Sequence, residues 1–286
     1  MTEILNLHSN AKAYHNKEVS SNYVKGRPSY PIESIKMLKE ELGLTDDSVI
    51  MDLACGTGKF SKMLCENNFK NIVCVEPSPE FRDDCSNVLK EFIQDENKNI
   101  KVVNGLATSL PFEDDTFDCI CAAQSFHWYD NVDAVKEITR VLKPGGVFYL
   151  IWNNLSEDDN PIFKSTLELF KDNKQYNDDN SPKFRTGKWR KVFQDIKNDE
   201  ILSKNLIDPN LQSRKFKNEQ ITNTENIIAT TLSISFIALF PQEKKDKLIS
   251  LIKESLNSKE ESKDNKDFTM IYLTEVYFSR KPINPI

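Results

Sequence analysis

No run in this 286-residue chain approaches the roughly 20 consecutive apolar residues that a membrane-spanning helix needs, which excludes a helical membrane protein. The start, Met1-Thr2-Glu3-Ile4, lacks the basic and then apolar region of a secretory signal, so a cytosolic (cytoplasmic) or nuclear chain is expected. There is no internal repeat and no Ser-His-Asp signature, which sets aside solenoids and the common serine nucleophiles. Histidine is scarce, at positions 8, 15 and 127 only. His8 and His15 lie in a polar arm, residues 1–22, without a strong period, and are assigned no role. The six cysteines all fall in the first half, at 55, 65, 74, 85, 119 and 121, mostly inside apolar patterns, as expected of reduced core thiols. Cys119-Ile120-Cys121 puts two thiols on one face of a strand, but no His or second pair follows at zinc-site spacing, so no metal is expected.

What is present suits one α/β enzyme. At 38% hydrophobic the chain can bury a full core as a single domain over residues 1–286. Its net charge of −6 argues against a nucleic-acid footprint over the whole surface. Residues 183–217 depart from that balance, with ten Lys or Arg against four Asp or Glu, a local net of +6.

The organising stretch is Val49-Ile50-Met51-Asp52-Leu53-Ala54-Cys55-Gly56-Thr57-Gly58, followed by Lys59-Phe60-Ser61-Lys62-Met63-Leu64. It reads as a buried strand, a glycine turn and the start of a helix, a place where a ligand can approach backbone and meet unpaired N–H groups. A phosphate loop fails here, because position 53 is Leu and Phe60 stands where a magnesium-binding Ser or Thr belongs. A dinucleotide fingerprint lacks its third glycine, Ser61 standing after Gly56-x-Gly58. Asp52-Leu53-Ala54-Cys55-Gly56-Thr57-Gly58 resembles instead the first motif of the class I methyltransferases, which use S-adenosylmethionine and release S-adenosylhomocysteine. Asn71-Ile72-Val73-Cys74-Val75-Glu76, a second strand ending in an acid 18 residues after Gly58, suits the two ribose hydroxyls. Leu110-Pro111-Phe112, Phe117–Ala122 and Arg140–Gly146 keep the order of the same family.

Tyr23-Val24-Lys25-Gly26-Arg27-Pro28-Ser29-Tyr30-Pro31 narrows the resemblance to the type 11 group that includes trans-aconitate methyltransferase-like enzymes. The two prolines predict an extended path before a helix over 32–42. The resemblance implies a Rossmann-like α/β fold, a mostly parallel seven-stranded sheet with helices on both faces and an antiparallel last strand, the segment Thr269–Phe278 being the candidate. Residues 23–155 would form the cofactor core, and the substrate-side helices and last strand would follow over 156–286. The cofactor-binding residues it implies are Tyr23, Arg27, Asp52, Ala54, Gly56, Gly58, Glu76, Pro77, Ala107 and Gln124. In that branch the arm closes over the cofactor: Arg27 either pairs with the methionine carboxylate or anchors the arm, and Tyr23 and Tyr30 either wall the pocket or do the same. An acid frequent in this branch is replaced by Leu106, which leaves the adenine amino group to backbone near Ala107.

Gln124-Ser125-Phe126-His127-Trp128-Tyr129-Asp130 follows the fourth strand, where the transferred methyl should face, and it too resembles the branch. His127 is the catalytic candidate, as a general base or a substrate hydrogen-bond partner, with loop capping as the alternative. Trp128 and Tyr30 are the candidate substrate wall. Helices are predicted at 59–67, 79–94, 131–142, 163–170, around 192–196 and at 247–256, a polar loop at 171–180, and a stop at Pro144-Gly145-Gly146 before a fifth strand. Residues 221–239 are ambiguous by period; resemblance suggests helices. The acceptor is expected to be a small molecule, a carboxylate or another anion, drawn by residues 183–217; an RNA groove and a plain solvated face stay open as alternatives, as do a non-catalytic binding module and a nicotinamide dehydrogenase. Oligomeric state is left undetermined.

Overall fold

A computed structural model of the chain describes residues 16–155, 160 and 184–283. His8, His15, the predicted helix at 163–170 and the polar loop at 171–180 lie outside the described residues. No helix among the described residues is long and apolar enough to cross a membrane. Seven strands form one mixed sheet in the order β3-β2-β1-β4-β5-β7-β6, with its last strands antiparallel. They are β1 (Val49–Leu53), β2 (Asn71–Val75), β3 (Asn99–Val103), β4 (Phe117–Ala123), β5 (Leu142–Leu155), β6 (Gln212–Thr222) and β7 (Phe268–Arg280). The described residues fall into two compact units, 30–152 with 184–216 and 274–283, and 16–29 with 153–155, 160 and 217–273.

In the first unit α2 (Ile32–Glu40), α3 (Lys59–Glu66), α4 (Pro79–Val88), α5 (Lys90–Ile93) and α6 (Val132–Val141) alternate with β1 to β5. All pairings among β1 to β5 are parallel, so each pair of strands needs a crossover, and the short apolar strands are covered on both faces. One cluster holds Ile35, Leu38, Phe60, Leu64 and Tyr149, the other Phe126, Val135, Ile138, Phe148 and Trp152. The chain runs outward from β1 to β2 and β3, then returns to place β4 on the other side of β1. That reversal opens the crevice at the carboxyl ends of β1 and β4.

Three local differences from the sequence reading have physical causes. The predicted helix at 79–94 breaks at Leu89 into α4 and α5. The stop at Pro144-Gly145-Gly146 does not separate helix from strand: Leu142 is already extended and pairs with Phe117, and the glycine segment is an irregularity between that pair and Cys119 with Val147. Downstream, α7 (Lys191–Asn198) matches the apolar trio Val192, Phe193 and Ile196, whereas α8 (Glu200–Asn205), capped by the Asp199 carboxylate, and β6 had no sequence signal that was recognised. β7 is not at the edge of the sheet; it lies between β5 and β6.

The second unit begins with a helix where an irregular arm and an extended path were expected. α1 (Lys17–Gly26) starts at Asn16, whose side chain accepts from the Glu18 N–H at 2.8 Å, and only from Arg27 onward is the chain extended. Gly26 is required by close approach: a Cβ there would lie 2.2 Å from the backbone nitrogen of Thr230, whose hydroxyl donates to the Gly26 carbonyl. Thr230 belongs to α9 (Thr224–Leu232), and α10 (Ser235–Ala238) and α11 (Gln242–Asn257) follow, so residues 221–239 are largely helical. Leu248, Ile252 and Leu256 of α11 pack with Ile227, Ile237 and Met270.

Candidate cofactor and acceptor site

The turn after β1 reverses the chain with three residues in the left-handed region, Ala54 (φ 55°), Gly56 (φ 57°) and Gly58 (φ 77°). For alanine this conformation costs of order 1 kcal/mol or more and is held only where its surroundings demand it. Across the crevice Gln124, directly after β4, has φ 57° as well, and its N–H donates to the Ile151 carbonyl. Two non-glycine residues with strained backbone thus stand at the ends of the two strands where the sheet order reverses. Gly58 heads α3, and a Cβ on it would lie 2.7 Å from the Cys85 sulfur.

Glu76 leaves β2 and closes this turn. Its Oε2 accepts from the Gly56 N–H at 3.0 Å and its Oε1 from the Ser78 N–H at 2.9 Å. Burial pushes its carboxyl from the ordinary 4.5 up to about 7, against the pull of those two N–H donors and of Arg82. A carboxylate offers about four lone-pair sites, so two remain for further donors after this clamp is made. Pro77 is half-buried and its carbonyl accepts from Arg82, while Ala107, buried, follows β3 in a tight turn bridged by Leu106 and Ser109.

Asp52 lies lower, wholly buried on β1 in register with Cys74 and Cys121. Its Oδ2 accepts from the Ser61 hydroxyl at 2.5 Å, and Oδ1 is buried without a partner. Burial, then the neighbouring Cys74, raises its carboxyl from 3.8 to about 8, which suits a neutral acid that ties β1 to α3. Its zero exposure and its bond to Ser61 suit support of the glycine turn from beneath. Tyr30 is also buried, edge-on to Phe60 of α3 at 5.3 Å, and so packs behind the turn.

The side of the crevice beyond β4 is aromatic. After β4, Phe126–Trp128 form one turn of 3-10 helix that directs Phe126 inward and leaves His127 and Trp128 half-buried. The Trp152 indole N–H donates to His127 Nδ1 at 3.2 Å, so the neutral imidazole carries its proton on Nε2. Trp152 stacks on Phe184 at 4.5 Å and meets Trp189 at 4.7 Å, and Tyr277 lies 5.0 Å from Trp189. Arg190 spreads over Trp189 and Tyr277 and donates to the Tyr277 hydroxyl, which donates in turn to Glu275. Trp152, Trp189 and Tyr277 were not singled out for the site from sequence; an indole 25 residues after a histidine gives no local signal.

Tyr23 and Arg27 belong to the second unit. There the Arg27 guanidinium lies over the Tyr23 ring at 5.2 Å and donates to the Ser233 hydroxyl at 2.8 Å and carbonyl at 3.2 Å. The cations of 183–217 are widely paired within their own surroundings: Lys191 with Asp195, Lys204 with Glu200, Arg214 with Glu41 and Lys215 with Glu275.

Residues 51–150 match the family model described as a methyltransferase domain. An uncharacterised methyltransferase-like protein of Schizosaccharomyces pombe is 29% identical over 91% of this chain and 93% of its own. A demethylmenaquinone methyltransferase of Lactococcus lactis is 32% identical over 48% of this chain and 52% of its own, so the chain spans about half the length of that relative. Among solved structures, a candidate type II methyltransferase from Anaeromyxobacter dehalogenans is similar with a TM-score of 0.61 and 16% identity, over 91% of this chain and 99% of that one. The glycine turn, the Glu76 clamp and the His127 loop all lie within the segment 51–150 that matches this family model, on a sheet of Rossmann-like fold.

Proposed function

We propose that the chain transfers the methyl group of S-adenosylmethionine to a small-molecule acceptor, a carboxylate or another anion, and releases S-adenosylhomocysteine. The observation that carries this reading is Glu76 at the carboxyl end of β2, clamped to Gly56 with two acceptor sites to spare. The site residues fit the cofactor's chemistry. Glu76 can take both ribose hydroxyls, Gly56 has no Cβ to hold a ligand off the backbone, and the backbone beside Ala107 is the place for the adenine edge. When bound, the cofactor supplies an electrophilic methyl on a sulfonium sulfur. The protein's task is then to hold nucleophile, methyl carbon and sulfur in line, and orientation of this kind supplies roughly 7–11 kcal/mol of such a barrier.

His127 acts here as a donor. With Nδ1 accepting from Trp152 the imidazole is held as a hydrogen-bonding partner and not as a base, and a carboxylate nucleophile requires no base. The resemblance of residues 23–31 and 124–130 to the trans-aconitate-like branch supports an acidic acceptor, and the demethylmenaquinone relative supports a small molecule. Burial of Trp189 and Phe193 counts against an RNA groove, since neither ring is available to stack on a base.

Calorimetry tests the cofactor: binding of S-adenosylmethionine and S-adenosylhomocysteine is expected, and binding of NAD is not. Tight NAD binding would overturn the reading. Incubation of metabolite pools with methyl-labelled cofactor, followed by mass spectrometry, tests the acceptor. A product from purified RNA and none from any small acid would overturn the acceptor class.

A further inference from the structure

Three thiols that methyl transfer does not use lie together beneath the glycine turn. Cys55 precedes Gly56, Cys74 is on β2 and Cys85 on α4, and their Sγ atoms all lie within 4.8 Å of one another, Cys55 and Cys85 at 3.8 Å. Each is a free, buried cysteine. An ion about 2.3 Å from three sulfurs in one plane holds them about 4 Å apart, so the trio reaches that geometry by shifts of less than about 1 Å. The sequence reading weighed Cys119 and Cys121 alone, because the trio is contributed by a turn, a strand and a helix that only the parallel sheet brings together.

We propose that Cys55, Cys74 and Cys85 form a three-sulfur site for a soft monovalent cation, copper(I). Sulfur donors alone select soft ions over magnesium or calcium, which require oxygen. Zinc in a closed site calls for a fourth ligand. The hydroxyl nearest Cys74, that of Ser61 at 3.1 Å, already donates to Asp52. Binding forms copper–sulfur bonds with no change of oxidation state, and each thiol that ligates as a thiolate gives its proton to solvent. Once bound, the ion ties the turn to β2 and α4.

The test uses the full reduced chain without oxygen, titrated with copper(I) against a chromophoric chelator. One equivalent per chain is expected, with three sulfur neighbours by X-ray absorption and slower amide exchange over residues 55–58. Cys55→Ser, Cys74→Ser and Cys85→Ser should each weaken binding by more than the roughly 10–100-fold that loss of an outer-shell partner costs. Cys65→Ser and the double variant Cys119→Ser with Cys121→Ser should leave it unchanged. Undiminished uptake by Cys85→Ser, loss in the Cys119/Cys121 variant, or two sulfurs in the parent would each overturn the site. If a serine variant fails to fold by circular dichroism, the coordination number of the parent and the Cys119/Cys121 variant decide. No step depends on the methyltransferase reading, so the two stand or fall separately.

Discussion

The two sides of the crevice hold their polar groups in opposite ways. At the ends of β1 and β2, Asp52 and Glu76 are buried and bound to Ser61 and to backbone N–H groups, and burial raises both carboxyls. Past the end of β4, His127 accepts from an indole N–H, and Arg190, in the turn before α7, donates to a tyrosine hydroxyl, both beside an aromatic cluster. The backbone partners of Glu76 cannot change rotamer, whereas the Trp152 and Tyr277 side chains can repack. The first arrangement suits the proposed cofactor, whose shape is fixed, and the second the proposed acceptor, whose pocket side-chain substitutions can reshape. Substitutions on the acid side should therefore change cofactor affinity, and those on the aromatic side acceptor kinetics.

The largest effect should come from the turn. Gly58→Val imposes a branched side chain on a φ of 77° and drives its Cβ into the Cys85 sulfur, with an expected loss of about 3 kcal/mol or more by denaturant unfolding. Parent-like stability would show that the turn has another conformation. Glu76→Gln comes next: replacing charged hydrogen bonds worth about 1.5–3 kcal/mol should weaken cofactor binding roughly 10–150-fold while acceptor KM stays put. Ribose hydroxyls favour the ionised carboxylate, so the parent's affinity should rise with pH until about 7 and then level off. Calorimetry across that range checks it, and a flat profile would remove Glu76 from the ribose.

Stability should run the other way. Because Asp52 and Glu76 hold their protons more tightly folded than unfolded, the folded chain binds more protons between the ordinary carboxyl range and about pH 7–8. Their contribution is complete below that range and is lost as pH rises through it. Unfolding midpoints for Asp52→Asn should lack part of this slope.

The contrast also explains what was legible in the sequence. Asp52 to Gly58 and Glu76 were readable because a strand, its turn and the next strand end are close in the chain and carry their chemistry in order. Trp152 and Trp189 join the site only through packing of residues far apart in sequence, and no spacing announces it. β6 was missed because most of its residues are exposed, so Ser213 to Glu219 show no apolar alternation, and its partner β7 follows some fifty residues later. α1 was missed behind two prolines that govern only the residues just before and after them. The acid side was thus nearly complete in one dimension, the aromatic side only in three.

The smallest effect discriminates most finely on the aromatic side. Trp152→Phe keeps a ring against Phe184 and Trp189 but removes the N–H that Trp152 donates to His127 Nδ1. A neutral hydrogen bond of this kind is worth about 0.5–1.5 kcal/mol, so turnover should fall roughly 2–12-fold. Cofactor affinity should not move, because Trp152 and Glu76 act on opposite sides of the crevice. Unchanged turnover would mean that Trp152 only fills space beside His127. A fall in cofactor affinity would abolish the division between the two sides.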